Sequence, residues 1–259
     1  MQLRDTTFLI TGASSGIGRA CAEKLASEGV RLILNGRRRD ALEAVAAKVG
    51  GAEVIVADLM IPDSVSALCD VVSQSYDRID GIIHSAGVGM YVPSYDSDPT
   101  KVRSLMELNF MAPVEITRRL LPKLPDGGAI VTISSVGGKI SLPWLNLYSA
   151  SKYALNAFSD GLRMELTERK IQVLNVCPCY VDTPFQQNVL QGQVPKNLVG
   201  NKQFTVSAEE CAEAILDGLR KNKRTIVVPK IAWLFVILAR LFPATVHGQM
   251  AKYKPRSTE

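Results

Sequence analysis

Seven short apolar runs alternate with segments of helical spacing, and this alternation limits the possible folds more than any other feature of the chain. The runs lie at 7–11, 31–35, 53–56, 81–84, 129–134, 171–176 and 224–228. They are rich in Val and Ile and apolar nearly throughout, as strands buried on both faces are. Between them, 16–28, 39–49, 63–75, 100–124, 147–169 and 207–221 carry helical periodicity. Strand then helix, repeated, predicts an α/β fold with a doubly wound parallel sheet of about seven strands. The 259 residues suit one domain with a large core. Residues 1–229 form its main body, and 230–259 add an apolar helix and tail to the same domain. The least regular stretch, 182–204, reads as a loop.

Composition narrows the function. With 47% hydrophobic and 21% charged residues, the chain is ordinary for a globular protein. The net charge is +5 and no basic block extends beyond Arg37-Arg38-Arg39, so a nucleic-acid partner is not expected. Five cysteines without a CxxC pair and only two histidines argue against a metal site. The odd thiol count and the lack of a charged leader before a long apolar stretch point to a reducing, cytoplasmic setting.

After the first strand comes Thr11-Gly12-Ala13-Ser14-Ser15-Gly16-Ile17-Gly18, opening a helix. Glycines tighten such a turn and let backbone N–H groups approach a pyrophosphate, while the helix N-terminus adds partial positive charge. The spacing is TGxxxGxG rather than GxGxxG. In this the chain resembles the short-chain dehydrogenase/reductase family, and the resemblance runs from Thr7 to about Thr183. It implies a Rossmann-like fold that binds a nicotinamide dinucleotide through Gly12, Ser14, Ser15, Gly16, Ile17 and Gly18.

About twenty residues on, a site for NAD would place an acid to hold the ribose 2′-OH. Here the sequence reads Asn35-Gly36-Arg37-Arg38. Gly36 stands where the family's NAD users carry Asp. A guanidinium can grip a 2′-phosphate bidentately where a carboxylate would repel it, so Arg37 and Arg38 favour NADP(H). By resemblance, Asp58 meets the adenine, and Leu59 beside it is taken as part of the cofactor site. Ala86 and Gly87 pass beneath the nicotinamide-side ribose, and Pro178, Val181 and Thr183 lie by the carboxamide.

Tyr148 and Lys152 lie four apart on a predicted helix and share a face. A lysine ammonium beside a phenol stabilises the phenolate and lowers its pKa from about 10. Such a tyrosine can give a proton to a carbonyl or remove one from an alcohol. The resemblance adds Ser135, thirteen residues earlier, as the group that hydrogen-bonds the substrate oxygen. It makes Asn109 the fourth catalytic member, anchoring a water beside the lysine, and has Lys152 also hold the nicotinamide ribose.

Two segments depart from the family pattern. His84-Ser85-Ala86-Gly87 replaces Asn-Asn-Ala-Gly, and His84 reads as a strand-end residue bonded to backbone. Pro178-Cys179 replaces Pro-Gly, so Cys179 is expected to line the site. By their places in the pattern, Met90, Tyr91, Leu142, Trp144, Tyr180 and Phe185 flank the substrate. They are mostly bulky and apolar, which suits an apolar carbonyl or secondary alcohol.

Ala150, Ala154, Ala157 and Gly161 form a small-residue face on the helix of Tyr148 that permits close packing. The family pairs such helices across a two-fold axis, implying a homodimer or homotetramer. Three rival readings are a sugar-nucleotide epimerase, a non-catalytic dinucleotide binder, and a membrane-surface protein on the same scaffold. The last rests on the run that begins at Ile231 and ends at Phe242, where eleven of twelve residues are apolar. As a helix it spans about 18 Å, too short for a hydrocarbon core of about 30 Å. It is expected to be buried in the fold, at a subunit interface or as a lid. Shallow membrane contact is the alternative, helped by Trp233, Lys230, Arg240, Lys252 and Lys254.

Overall fold

The computed structural model of the chain describes residues 1–193 and 205–252. In order, they form β1 (Thr7–Thr11), α1 (Gly16–Ser27), β2 (Arg31–Gly36), α2 (Arg39–Lys48), β3 (Glu53–Val56), α3 (Pro62–Ser75), β4 (Gly81–His84), β5 (Gly89–Tyr91), α4 (Pro99–Met106) and α5 (Ala112–Leu120). The second half holds β6 (Ala129–Ile133), α6 (Asn146–Glu165), β7 (Gln172–Pro178), β8 (Tyr180–Val181), β9 (Val189–Gly192), β10 (Thr205–Val206), α7 (Ala208–Arg220), β11 (Thr225–Val228), α8 (Ala232–Leu241) and α9 (Pro243–Met250).

Seven strands make one sheet in the order β3-β2-β1-β4-β6-β7-β11, and every pairing in it is parallel. This is the Rossmann-like α/β sheet the apolar runs predict. Alternation along β1 distributes the core. Phe8 and Ile10 pack on one side with Leu25, Leu42 and Ile215, and Leu9 packs on the other with Leu68, Ile116 and Leu162. From β1 the strand order runs outward in both directions. The carboxyl ends of β1 and β4 therefore flank the switch point, where open α/β sheets form their crevice.

The predicted helix over 100–124 is divided. A π-helical turn, Glu107–Met111, separates α4 from α5. Pro113 is the physical cause, since it has no N–H to give to the carbonyl of Asn109 four residues back. The helix predicted to reach 169 stops at Glu165, and Lys170 turns the chain at φ +53°. Two short pairs lie outside the main sheet, β5 with β9 and β8 with β10. The first draws on the stretch expected to be loop, through β9, and the second flanks that stretch, of which 194–204 lies outside the described residues.

The apolar run after β11 forms α8 and ends at Phe242, because Pro243 removes a backbone donor and restricts the residue before it. Ala232, Val236 and Ala239 give α8 a buried stripe against the body, and Val236 and Ala239 pack with Ile140. On α6, Ala150 and Ala157 are exposed. A Cβ on Gly161 would meet nothing within 4 Å, so the small-residue face looks outward. Among the described residues no helix is long and apolar enough to cross a membrane.

Candidate active site

The turn after β1 is built on close backbone approach. Gly12 has φ +66°, and a Cβ there would lie 2.8 Å from the backbone of Ala86. Thr11 Oγ1 accepts hydrogen bonds from the N–H groups of Ser85 (3.1 Å) and Ala86 (3.2 Å), tying the end of β1 to the segment after β4. Ser15 precedes α1 without capping it through its side chain, so the first N–H groups of α1 face the turn with no partner from that hydroxyl. Small residues and open donors at a helix N-terminus fit a pyrophosphate.

At the end of β2, Arg37 and Arg38 stand at the rim. Arg38 Nη2 is 3.4 Å from Ser14 Oγ, and Arg37 Nη1 is 4.0 Å from Asp58 Oδ2. A Cβ on Gly36 would sit 3.4 Å from both Leu42 Cδ2 and Ser14 Oγ. The fold therefore tolerates a Cβ at 36 at ordinary contact distance. Asn35 beneath is fully buried, and its Oδ1 has no hydrogen-bond partner.

Ser135, Tyr148 and Lys152 meet at the carboxyl end of β6, where α6 begins. The Ser135 hydroxyl accepts from the Gly137 N–H at 3.0 Å and lies close enough to the Tyr148 phenol to favour its ionised form. Lys152 donates from Nζ to the Ile133 carbonyl at 2.8 Å. The sequence implied that Lys152 would draw the phenol's pKa down. In the structure burial dominates: it pushes Tyr148 up to about 12, against the neighbouring Ser135 hydroxyl. It also pushes Lys152 down to about 8.

These groups share one cleft of about 830 Å³. It runs from the glycine turn, past Tyr148 and Lys152, to an end walled by Tyr91, Leu142, Trp144, Tyr180 and Phe185. The Phe185 ring meets Tyr148 edge-on at 6.1 Å, and Tyr91 donates its hydroxyl to Gln186 Oε1 at 2.8 Å. Among the described residues that line the cleft, only Arg37, Arg38, Asp58 and Lys152 are charged, and none of these is at the far end.

Residues 6–194 match the family described as short chain dehydrogenase. The chain belongs to that family. Mouse dehydrogenase/reductase SDR family member 7B is 34% identical over 242 residues, covering 87% of this chain and 74% of the mouse protein. The short-chain dehydrogenase from Sphingobium yanoikuyae, solved in complex with NADPH, is 27% identical with a TM-score of 0.79 over 98% of each chain. An SDR from Burkholderia phymatum, in complex with NAD, has a TM-score of 0.84 over 100% of this chain and 99% of its own. At 22% identity it is a likeness of fold.

Most of the predicted residues line the cleft of this short-chain dehydrogenase: Ser14, Ser15, Gly16 and Ile17 on the glycine turn, Leu59 beside Asp58, Gly87 beside Ala86, and Pro178, Val181 and Thr183 after β7. Three do not. Met90 is expected beside the substrate but is buried in the core, because along β5 it points opposite to Tyr91. Gly18 lies behind the turn, where a Cβ would come within 2.4 Å of the Gly12 carbonyl oxygen. Its smallness serves packing rather than contact. Asn109 is also fully buried. Its side chain accepts from the Val88 N–H (2.9 Å) and donates to the Val88 carbonyl (3.0 Å) and Ser151 Oγ (3.0 Å), so it fixes the segment that holds Gly87.

His84 is buried, with Nε2 2.9 Å from Thr117 Oγ1 and burial pushing its pKa down to about 3. It bonds a side chain rather than the expected backbone and stays neutral. Cys179 lines the cleft, its thiol pushed up to about 12 by burial, which leaves it a poor nucleophile. The C-terminal helices reach the same cleft through Phe235, Leu238, Val246 and Met250, in keeping with the expected lid over the substrate; sequence reasoning did not single out these side chains. It gave their apolar run as one helix, with no sign of which face would turn inward.

Proposed function

We propose that this short-chain dehydrogenase reduces apolar ketones or aldehydes with NADPH, using Tyr148 as the proton donor. The observation that carries the reading is the convergence of Ser135, Tyr148 and Lys152 midway along a cleft with arginines at one end and apolar rings at the other. The cleft's glycine turn fits the pyrophosphate. Arg37 and Arg38 would take the 2′-phosphate, Asp58 and Leu59 the adenine side, Lys152 the nicotinamide ribose, and Val181 and Thr183 the carboxamide.

Bound there, the nicotinamide supplies the hydride. The chain's own groups manage the proton. With its pKa raised to about 12, the Tyr148 phenol is fully protonated at neutral pH and gives its proton from Oη to the carbonyl oxygen as negative charge builds there. Ser135 donates a hydrogen bond to the same oxygen and steadies it. The Lys152 ammonium, charged below about pH 8, offsets the negative charge left on the phenolate. The uncharged far end favours a substrate without carboxylate or phosphate, because burying such a group without a partner is costly.

The test is a panel of apolar ketones, aldehydes and secondary alcohols, followed by NADPH absorbance, with Tyr148→Phe as the blank. Turnover of an apolar carbonyl compound that vanishes in the variant supports the reading. Wild-type turnover retained in Tyr148→Phe overturns it.

A further inference from the structure

The helix α8 is apolar on both sides, although only one side is covered. Opposite its buried stripe, Leu234, Ile237, Leu238 and Leu241 follow at helical spacing and are exposed, flanked by exposed Ile231 and Phe242. These six are nearly half of the thirteen large apolar residues exposed among the described residues, so the patch is a single concentrated surface. Patches of this kind mark sites of interaction.

Charge identifies the partner. Residues 230–259 hold five basic residues, Lys230, Arg240, Lys252, Lys254 and Arg256, against a single acid, Glu259. The exposed Lys230, Arg240 and Lys252 form no ion pair among the described residues. A second copy docked face to face would bring these cations together with only the terminal Glu259 of the segment to offset them. An apolar row edged by free cations suits a bilayer with anionic headgroups: the row sits at the acyl boundary and the cations at headgroup level.

We propose that α8 and its flanks dock this protein on an anionic membrane surface, with the mouth of the cleft turned to the lipid. Leu238 belongs to the exposed row and also lines the cleft, beside Phe235, Val246 and Met250. A molecule dissolved in the bilayer would thus reach the apolar end without crossing water. That last step rests on the reductase reading; docking itself does not.

The experiment is co-sedimentation of the full chain with vesicles of phosphatidylcholine alone or with added phosphatidylserine, at low and high salt. The probe variants are Leu234→Gln with Leu241→Gln, and Lys230→Glu with Arg240→Glu; none of the four residues lines the cleft. NADPH binding and assembly size are measured in parallel. Expected are at least tenfold tighter binding to the phosphatidylserine vesicles, weakening with salt, and a tenfold or greater loss in both variants with NADPH binding kept. Failure of the wild type to sediment with phosphatidylserine vesicles overturns the proposal. So does vesicle binding that both variants leave untouched, or a lipid-free oligomer that the Leu234 and Leu241 changes dissociate while the wild type ignores lipid. Membrane binding without turnover of any carbonyl compound would uphold the docking and sink the reductase reading.

Discussion

Lys152 Nζ stands 5.8 Å from the centre of the Tyr148 ring and gives its hydrogen bond to the backbone of Ile133 rather than to the phenol. Each group is thereby held in the form that the proposed reduction calls for. The phenol keeps its proton, and the amine carries charge that can act once the proton has left.

Replacing Tyr148 with Phe keeps the ring and its contact with Phe185 while deleting the transferable proton. Turnover should fall on the order of 10²–10⁴-fold, with the NADPH dissociation constant changed less than about threefold. Steady-state rates and a fluorescence titration of the same preparation separate the two quantities.

The pH profile follows from the signs of the two shifts. Tyr148, raised to about 12, remains an acid across the neutral range. Lys152, lowered to about 8, loses its charge above that pH. The kcat/KM for reduction is therefore flat from pH 6 to about 8 and declines above it. Lys152→Arg, whose guanidinium stays charged, should remove that decline whatever its absolute rate. A decline of the same midpoint in Lys152→Arg would assign it to another group.

Cofactor choice is tested at Gly36 and Arg37. Charge-assisted hydrogen bonds are worth about 1.5–3 kcal/mol each, so NADPH should bind at least about tenfold more tightly than NADH. Gly36→Asp with Arg37→Ala should reverse the order, since a Cβ at 36 meets Leu42 and Ser14 only at ordinary contact distance and the new carboxylate would repel a 2′-phosphate. Equal dissociation constants in the wild type would remove the arginines from this role.

Gly18 and Asn109 support the site from behind. Gly18→Ala forces a Cβ onto the Gly12 carbonyl, so it should weaken dinucleotide binding although residue 18 never reaches the cleft. Asn109→Ala strands the Val88 N–H and carbonyl and should cost about 2–4 kcal/mol of stability, read by urea unfolding. An unchanged midpoint in Asn109→Ala would show that the Val88 segment is held by other means.

The seven sheet strands and most of the cleft could be read from the sequence because the signals are local. β1 and β4 are apolar runs, and Tyr148 and Lys152 share a helix face by spacing alone. What escaped depends on distant parts of the chain. Met90 and Tyr91 are adjacent, and only the pairing of β5 with β9 decides which of them faces the cleft. Nothing within 100–124 shows that Pro113 opens a π turn around Asn109 instead of ending the helix. The fall in the Tyr148 pKa inferred from Lys152 does not occur, for a related reason: burial is a property of the assembled fold, and it raises the phenol instead.

The strand order also bears on how long this protein survives in a cell. β1 receives β4 only after an intervening crossover, and the Thr7 N–H is held by Asp80 73 residues away. Ladders that close at such separation form slowly. The cleft's two walls, one ending in Arg37 and the other in Tyr148, lie on either side of this seam. A ligand spanning them binds the joined state alone. At a hundred times its dissociation constant such a ligand adds about 2.7 kcal/mol, so the supply of dinucleotide would set the protein's resistance to proteolysis, and with it its abundance, independently of any substrate.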